Sequence, residues 1–215
     1  MAGTAKKNDA MAKEAVVAAA LPDAAFDGFT DALLAKAGKA AGLEKPELDR
    51  LFPEGARSLI EAYSLSADAE MEKLLAEMDL AKMKIRERIA AAVLARLAIL
   101  KPHKEGARRA AATLTLPMHA SLGAKLMYHT VDAMWRAVGD TSTDFNFYSK
   151  RGILAGVYGA TLVRWFNDVS EDEQATRDFL AARIGNVMQF EKFKAEAKKA
   201  LEKFPAFDWA KPKTK

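Results

Sequence analysis

From Asp68 to Leu100, apolar side chains return every three or four residues: Met71, Leu74, Leu75, Met78, Ile85, Ile89, Val93, Leu97 and Leu100. That spacing follows the turn of an α-helix and gathers these residues on one stripe. Glu72, Lys73, Glu77, Lys84, Glu87 and Arg88 cover the far side as a solvated face. One long helix is therefore predicted over Asp68–Leu100, stopped by Pro102. A chain with such an element needs partners for its apolar stripe, and the neighbouring stretches offer helices rather than strands.

Residues 1–10 read as a disordered tail. Met11–Ala20 is Ala-rich and helical, with Pro22 as an interruption. Short helical pieces follow at Ala24–Phe29, Asp31–Gly42 and Glu44–Phe52, then Ala56–Tyr63 after Pro53 and Gly55. Gly42 suits a helix C-cap and Pro46 a first helical turn. Helix, short turn with Gly, helix suggests a helix-turn-helix unit over residues 11–64. It resembles the N-terminal domain of TetR-type regulators. There the recognition piece reads Val-Ser-x-Gly-Thr-Leu-Tyr-x-x-Phe, with Thr and Tyr on phosphates. Here Leu43 to Phe52 keep the hydrophobic frame but place Glu47 and Asp49 at those two positions. Carboxylates aimed at a polyanion repel it, so nucleic acid is not an expected partner. The overall charge agrees: 33 Lys and Arg against 29 Asp and Glu give only +4. A TetR-family transcriptional regulator with a lipid-like ligand is the alternative function.

Residues 65–204 are expected to form a larger helical ligand and dimerisation domain, followed by a basic tail at 205–215. Lys104–Thr115 is a helix that Leu116-Pro117 ends or kinks. Leu114, Leu116, Met118, Leu122, Leu126, Met127, Val131, Met134 and Trp135 then crowd together. Such a run is ordinary core, or an adaptable lipid wall where the flexible Met side chains can re-pack.

Gly139-Asp140-Thr141-Ser142-Thr143-Asp144 reads as a loop ending in N-cap residues. It opens a helix over about Thr143–Trp165. Phe147, Leu154, Tyr158 and Trp165 share one stripe of that helix, and Gly152, Ala155, Gly156 and Gly159 the opposite one. Each mid-helix Gly costs about 1 kcal/mol relative to Ala. Three of them suggest close approach of another helix, or room for a ligand.

The residues Ser-Thr-Asp-Phe-Asn-Phe-Tyr-Ser-Lys-Arg at 142–151, with Val131 to Trp135 before them and Leu154 to Tyr158 after, carry a resemblance. The stretch is similar to the signature of an accessory family in ubiquinone (coenzyme Q) biosynthesis. Its best-known members are mitochondrial lipid-binding proteins that assist the demethoxyubiquinone hydroxylase. The similarity runs from about Ile85 to Met188, with one departure: Phe147 stands where eukaryotic members have Trp. The resemblance implies an all-α, TetR-like bundle that binds lipid and is not an enzyme. It would present a polyprenylated quinone intermediate to the hydroxylase.

Site residues follow from that resemblance. Leu122, Leu126, Trp135, Leu154 and Tyr158 are the expected lining for an isoprenoid or phospholipid ligand. Met134, Asp144, Phe147 and Tyr148 are the expected hydroxylase surface, with Phe147 and Tyr148 at the exposed start of their helix. Phe179, Leu180, Ile184 and Met188 lie on a basic amphipathic helix, bordered by Arg177 and Arg183, and are the expected peripheral membrane contact. Gly185-Asn186 is a candidate bend in it. The TetR architecture implies a homodimer through the C-terminal helices.

No catalytic motif accompanies these features. His103, His119 and His129 sit in no Glu-x-x-His pair, and with no Cys in the chain there is no thiolate site and no disulfide. No cofactor or metal is expected. The N-terminus mixes Lys6, Lys7 and Lys13 with Asp9 and Glu14 and lacks a long apolar segment, so neither a secretory signal nor a transit peptide is expected. The location read from this is a bacterial cytoplasm, peripheral to the inner membrane.

Overall fold

The computed structural model describes the backbone of residues 2–141 and 145–203. Among these residues it is a bundle of α-helices with short 3-10 turns and no strand. The helices are α1 (Ala2–Asp27), α2 (Asp31–Ala40), α3 (Lys45–Leu51), α4 (Ala56–Ala76), α5 (Ile85–Leu100), α6 (Lys104–Leu114), α7 (Ala120–Ala137), α8 (Phe145–Phe166) and α9 (Gln174–Lys203). The all-α expectation holds. The expected basic tail at 205–215 lies outside the described residues.

The N-terminal expectation needs correction. The chain is helical from Ala2, so residues 2–10 belong to α1 rather than to a tail, and Pro22 lies inside that helix. Val16, Val17, Ala20 and Ala24 recur at helical spacing and are all buried, with α1 against α2, α4 and α6. Burial on both sides of Pro22 outweighs its local penalty.

The helix-turn-helix unit is present in α2 and α3. Thr30 caps α2, its Oγ1 accepting from Leu33 N at 3.1 Å. The two helices approach so closely that a Cβ on Gly38 would sit 2.5 Å from a Leu48 methyl. Gly42 follows α2 at φ +75°, a left-handed turn that glycine adopts without strain.

The predicted Asp68–Leu100 helix is broken. It divides into the second half of α4 and all of α5, separated by a 3-10 turn at Leu80–Lys82. In one straight helix, Asp68 and Arg96 would stand ~40 Å apart at ~1.5 Å per residue. Folded back, Arg96 Nε donates to Asp68 Oδ1 at 2.7 Å. The turn is held by Arg88, whose guanidinium donates to the carbonyls of Met83, Ala81 and Val138. Lys84 N donates to the Glu87 carboxylate at 3.0 Å and starts α5. Apolar periodicity on both sides hid the break, because the two stripes are in phase in the sequence.

In the C-terminal part, α7 packs on α4, α5 and α8, and α9 on α5 and α8. The start of α9 is fixed by Asp168, which accepts from Ser170 N and Oγ and from Thr176 N and Oγ1. Those hydrogen bonds, from Ser170 foremost, hold its carboxyl well below the usual carboxylate range. α9 runs through Gly185-Asn186 as continuous helix.

Among the described residues, the glycine stripe of α8 does not mark close approach of another helix. A Cβ on Gly152 or Gly156 would meet none of the described residues within 4 Å, and one on Gly159 would lie 3.7 Å from Met127. With Ile153, Ala160 and Val163, also exposed, Gly152 and Gly156 form an open stripe of small and apolar groups.

Candidate functional site

A cavity of about 90 Å³ lies between α4, α5, α6, α7 and α8. Leu100, Ala107, Ala110, Leu114, Leu162 and Phe166 make its apolar wall. Tyr63, Ser64, Arg96, Thr130 and Tyr158 supply polar groups to the same lining. Its volume is below the ~150 Å³ of a cavity that accepts benzene. A polyprenyl tail therefore enters only if these helices part.

The polar groups form one network around a buried ion pair. Arg96 reaches Asp68 through Nε, Tyr158 Oη at 2.6 Å through Nη1, and Ser64 Oγ at 3.0 Å through Nη2. Thr130 Oγ1 lies within 3.1 Å of both Asp68 oxygens, and His129 Nδ1 is 3.1 Å from Oδ2. Burial opposes the charge on Arg96, but Tyr158 and Asp68 more than offset it and its pKa is raised. Burial likewise pushes the Tyr63 and Tyr158 phenols up, so both remain protonated.

The structure sorts the expected lining residues unevenly. Tyr158 lines the cavity. Leu122, Leu126 and Leu154 are buried in the core but outside that lining. Trp135 is half-buried at the α7–α8 junction, its indole N–H donating to Lys150 O at 3.2 Å and Lys150 Nζ lying over its ring.

The start of α8 is a second locus. Tyr148 is 68% exposed. Phe147 is half-buried, stacked edge-on with Tyr148 and covered by the Arg151 guanidinium at 3.4 Å from its ring centre. Arg151 is buried and pairs with Asp132 and Asp140. Asp144 lies outside the described residues. Met134 corrects the expected partner surface: it is 0% exposed, because the last turns of α7 are enclosed on the Thr130, Val131, Ala133 and Met134 side. On α9, Leu180 is 1% exposed and belongs to the core rather than to a free face. Phe179 and Ile184 are half-buried, with Arg183 over the Phe179 ring, and Met188 is exposed.

Arg96, Asp68, Thr130 and Tyr63 were not singled out from the sequence. One signal was available: Arg96 is the sole charge within the apolar run Ile89–Leu100. A charge there must be paired or lie on a wet face.

Residues 120–191 match the COQ9 family. The rat protein named "Ubiquinone biosynthesis protein COQ9, mitochondrial" is 31% identical over 179 residues, covering 80% of this chain and 57% of its own length. The human protein of the same name is 30% identical, with 80% and 56% covered. A Dictyostelium discoideum protein named "Probable ubiquinone biosynthesis protein coq9, mitochondrial" is 29% identical over 116 residues, with 54% and 38% covered. The chain thus spans little more than half the length of the curated COQ9 proteins it matches. Among solved structures, the TetR transcriptional regulator from Nitrosomonas europaea ATCC 19718 superposes with a TM-score of 0.62 at 21% identity. The match covers 80% of this chain and 95% of that one, and it establishes a TetR-like fold. The COQ9 segment takes in α7, α8 and the first half of α9, and with them every expected site residue. Asp68, Arg96 and Tyr63 lie before it.

Proposed function

We propose that this chain is a non-catalytic lipid-binding accessory protein of ubiquinone biosynthesis. It takes up a polyprenylated quinone intermediate and presents it to the hydroxylase that modifies the ring. The observation that carries this reading is the COQ9 segment itself, which sets the exposed Tyr148 on the same helix as the cavity residue Tyr158. A polyprenyl tail prefers the bilayer by about 0.8 kcal/mol per buried CH₂, so delivery to a protein surface needs an apolar lining in its place. Lipid extraction of the purified protein followed by mass spectrometry is expected to release co-purified isoprenoid or phospholipid. A lipid-free extract would count against the reading.

Two features support the rest of the assignment. The open stripe of Gly152, Ile153, Gly156, Ala160 and Val163 is a surface for a second copy of the chain, in a homodimer through α8 and α9. The Met188 side of α9, near Arg183, is the membrane contact, at the cytoplasmic face of an inner membrane. Among the described residues no helix is long and apolar enough to cross a bilayer. Met188→Asp tests the contact better than a change at Ile184, which packs partly against the core. Liposome co-sedimentation should weaken about tenfold, as expected for loss of roughly 1.5 kcal/mol from one apolar side chain. Unchanged binding would remove α9 as the contact.

DNA binding is not part of the proposal. On α3, Arg50 is held by Asp9 of α1 and Lys45 by Asp49, which leaves the helix with ion pairs where a DNA reader needs cations for phosphates.

A further inference from the structure

We infer that the polar end of the cavity is a hydrogen-bond-donating subsite for one uncharged oxygen, such as a ring carbonyl, on an otherwise apolar ligand. The inference rests on the lipid-binding reading and names what part of the ligand this end would hold. Tyr63 lines the cavity and is only 7% exposed, yet its hydroxyl meets no hydrogen-bond partner among the described residues. Buried hydroxyls in folded proteins are nearly always paired with protein, water or ligand. Tyr158, on the same wall, accepts from Arg96 at 2.6 Å, and its own proton finds no acceptor among the described residues. The lining of this cavity therefore carries two phenols with protons to donate.

The charge balance decides which oxygen fits. The guanidinium of Arg96 is matched by the Asp68 carboxylate, and both are buried. A phosphate or carboxylate entering here would compete with Asp68 and bring an unmatched negative charge into the interior. A neutral carbonyl accepts from the two phenols and disturbs nothing. The small volume sets the order of entry: the oxygen-bearing end reaches the phenols, and the apolar groups behind it are taken up only as the helices part.

The test uses three isoprenoid probes on the full chain: geranylacetone, the hydrocarbon left when its carbonyl oxygen is removed, and the carboxylate that replaces its acetyl group. Affinities are measured for wild type and for Tyr63→Phe, which deletes an unpartnered hydroxyl and keeps the ring. The ketone-to-hydrocarbon affinity ratio should be about tenfold larger in wild type than in the variant, with the hydrocarbon unaffected. Taking the ratio between proteins cancels the different solubilities of the probes. The carboxylate should bind wild type more weakly than the ketone. If the ratio is the same in both proteins, the hydroxyl is met by water or nothing and the subsite is overturned, while the lipid reading stands. Tightest binding of the carboxylate would also overturn it. If none of the three probes binds, the lipid reading falls with it.

Discussion

Asp68→Ala is expected to destabilise the protein by about 3–5 kcal/mol, the range for stranding one partner of a buried ion pair. In a chain of this size that is a fall of roughly 10 °C in melting temperature, read by calorimetry or circular dichroism. Asp68 is the shared acceptor for Arg96 and Thr130, with His129 beside it, and it ties α4 to α5 and to α7. Without the carboxylate, the buried Arg96 keeps its charge but retains only Tyr158 and Ser64 as partners. The double variant Asp68→Leu with Arg96→Met should recover most of the loss, because a well-packed apolar pair avoids the desolvation cost altogether. If Asp68→Ala melts within a degree or two of wild type, the network is wetter than its burial implies. If the double variant is as unstable as the single one, the loss comes from packing rather than from unpaired charge.

The same network marks the limit of what the sequence discloses. Apolar spacing alone disclosed the helical character of Asp68–Leu100 and the buried stripe of Leu154, Tyr158 and Trp165 on α8, because a helix reveals its buried face through its own period. It could not place the break between α4 and α5. Met71 to Leu100 keep one rhythm through the turn, and the cause of the turn is Arg88 bonding to carbonyls that include Val138, far along the chain. Nor could it pair Asp68 with Arg96, since each looks like an ordinary helix charge until the chain folds back. The Phe147–Tyr148 step was legible as a motif, and the structure separates its two members by exposure. Met134 and Trp135 show the opposite failure. Neighbours on a helix face different ways, and the Met expected at the surface is enclosed while the Trp expected inside sits at the edge.

Tyr148→Ala should weaken association with the proposed hydroxylase partner by roughly 30-fold, equivalent to about 2 kcal/mol for an aromatic anchor. Its melting temperature should move by no more than about 1 °C, because an exposed ring contributes little to folding. Phe147→Ala should behave differently. That ring lies under the buried guanidinium of Arg151, whose Nη1 also donates to the Phe147 carbonyl at 3.1 Å. Arg151 in turn joins Asp132 of α7 to Asp140 in the turn before α8. Removing the ring uncovers a cation that organises the α7–α8 junction, so Phe147→Ala should lower the melting temperature as well as the affinity. Phe147→Trp, which keeps a ring beneath Arg151, should preserve both. Pull-down or titration calorimetry with the purified hydroxylase separates the cases. Loss of binding in Tyr148→Ala without loss of stability makes that ring a contact. Loss in Phe147→Ala alone would mean that the helix start must be held in shape but that its exposed face touches nothing, and the partner surface would have to be sought elsewhere on the bundle.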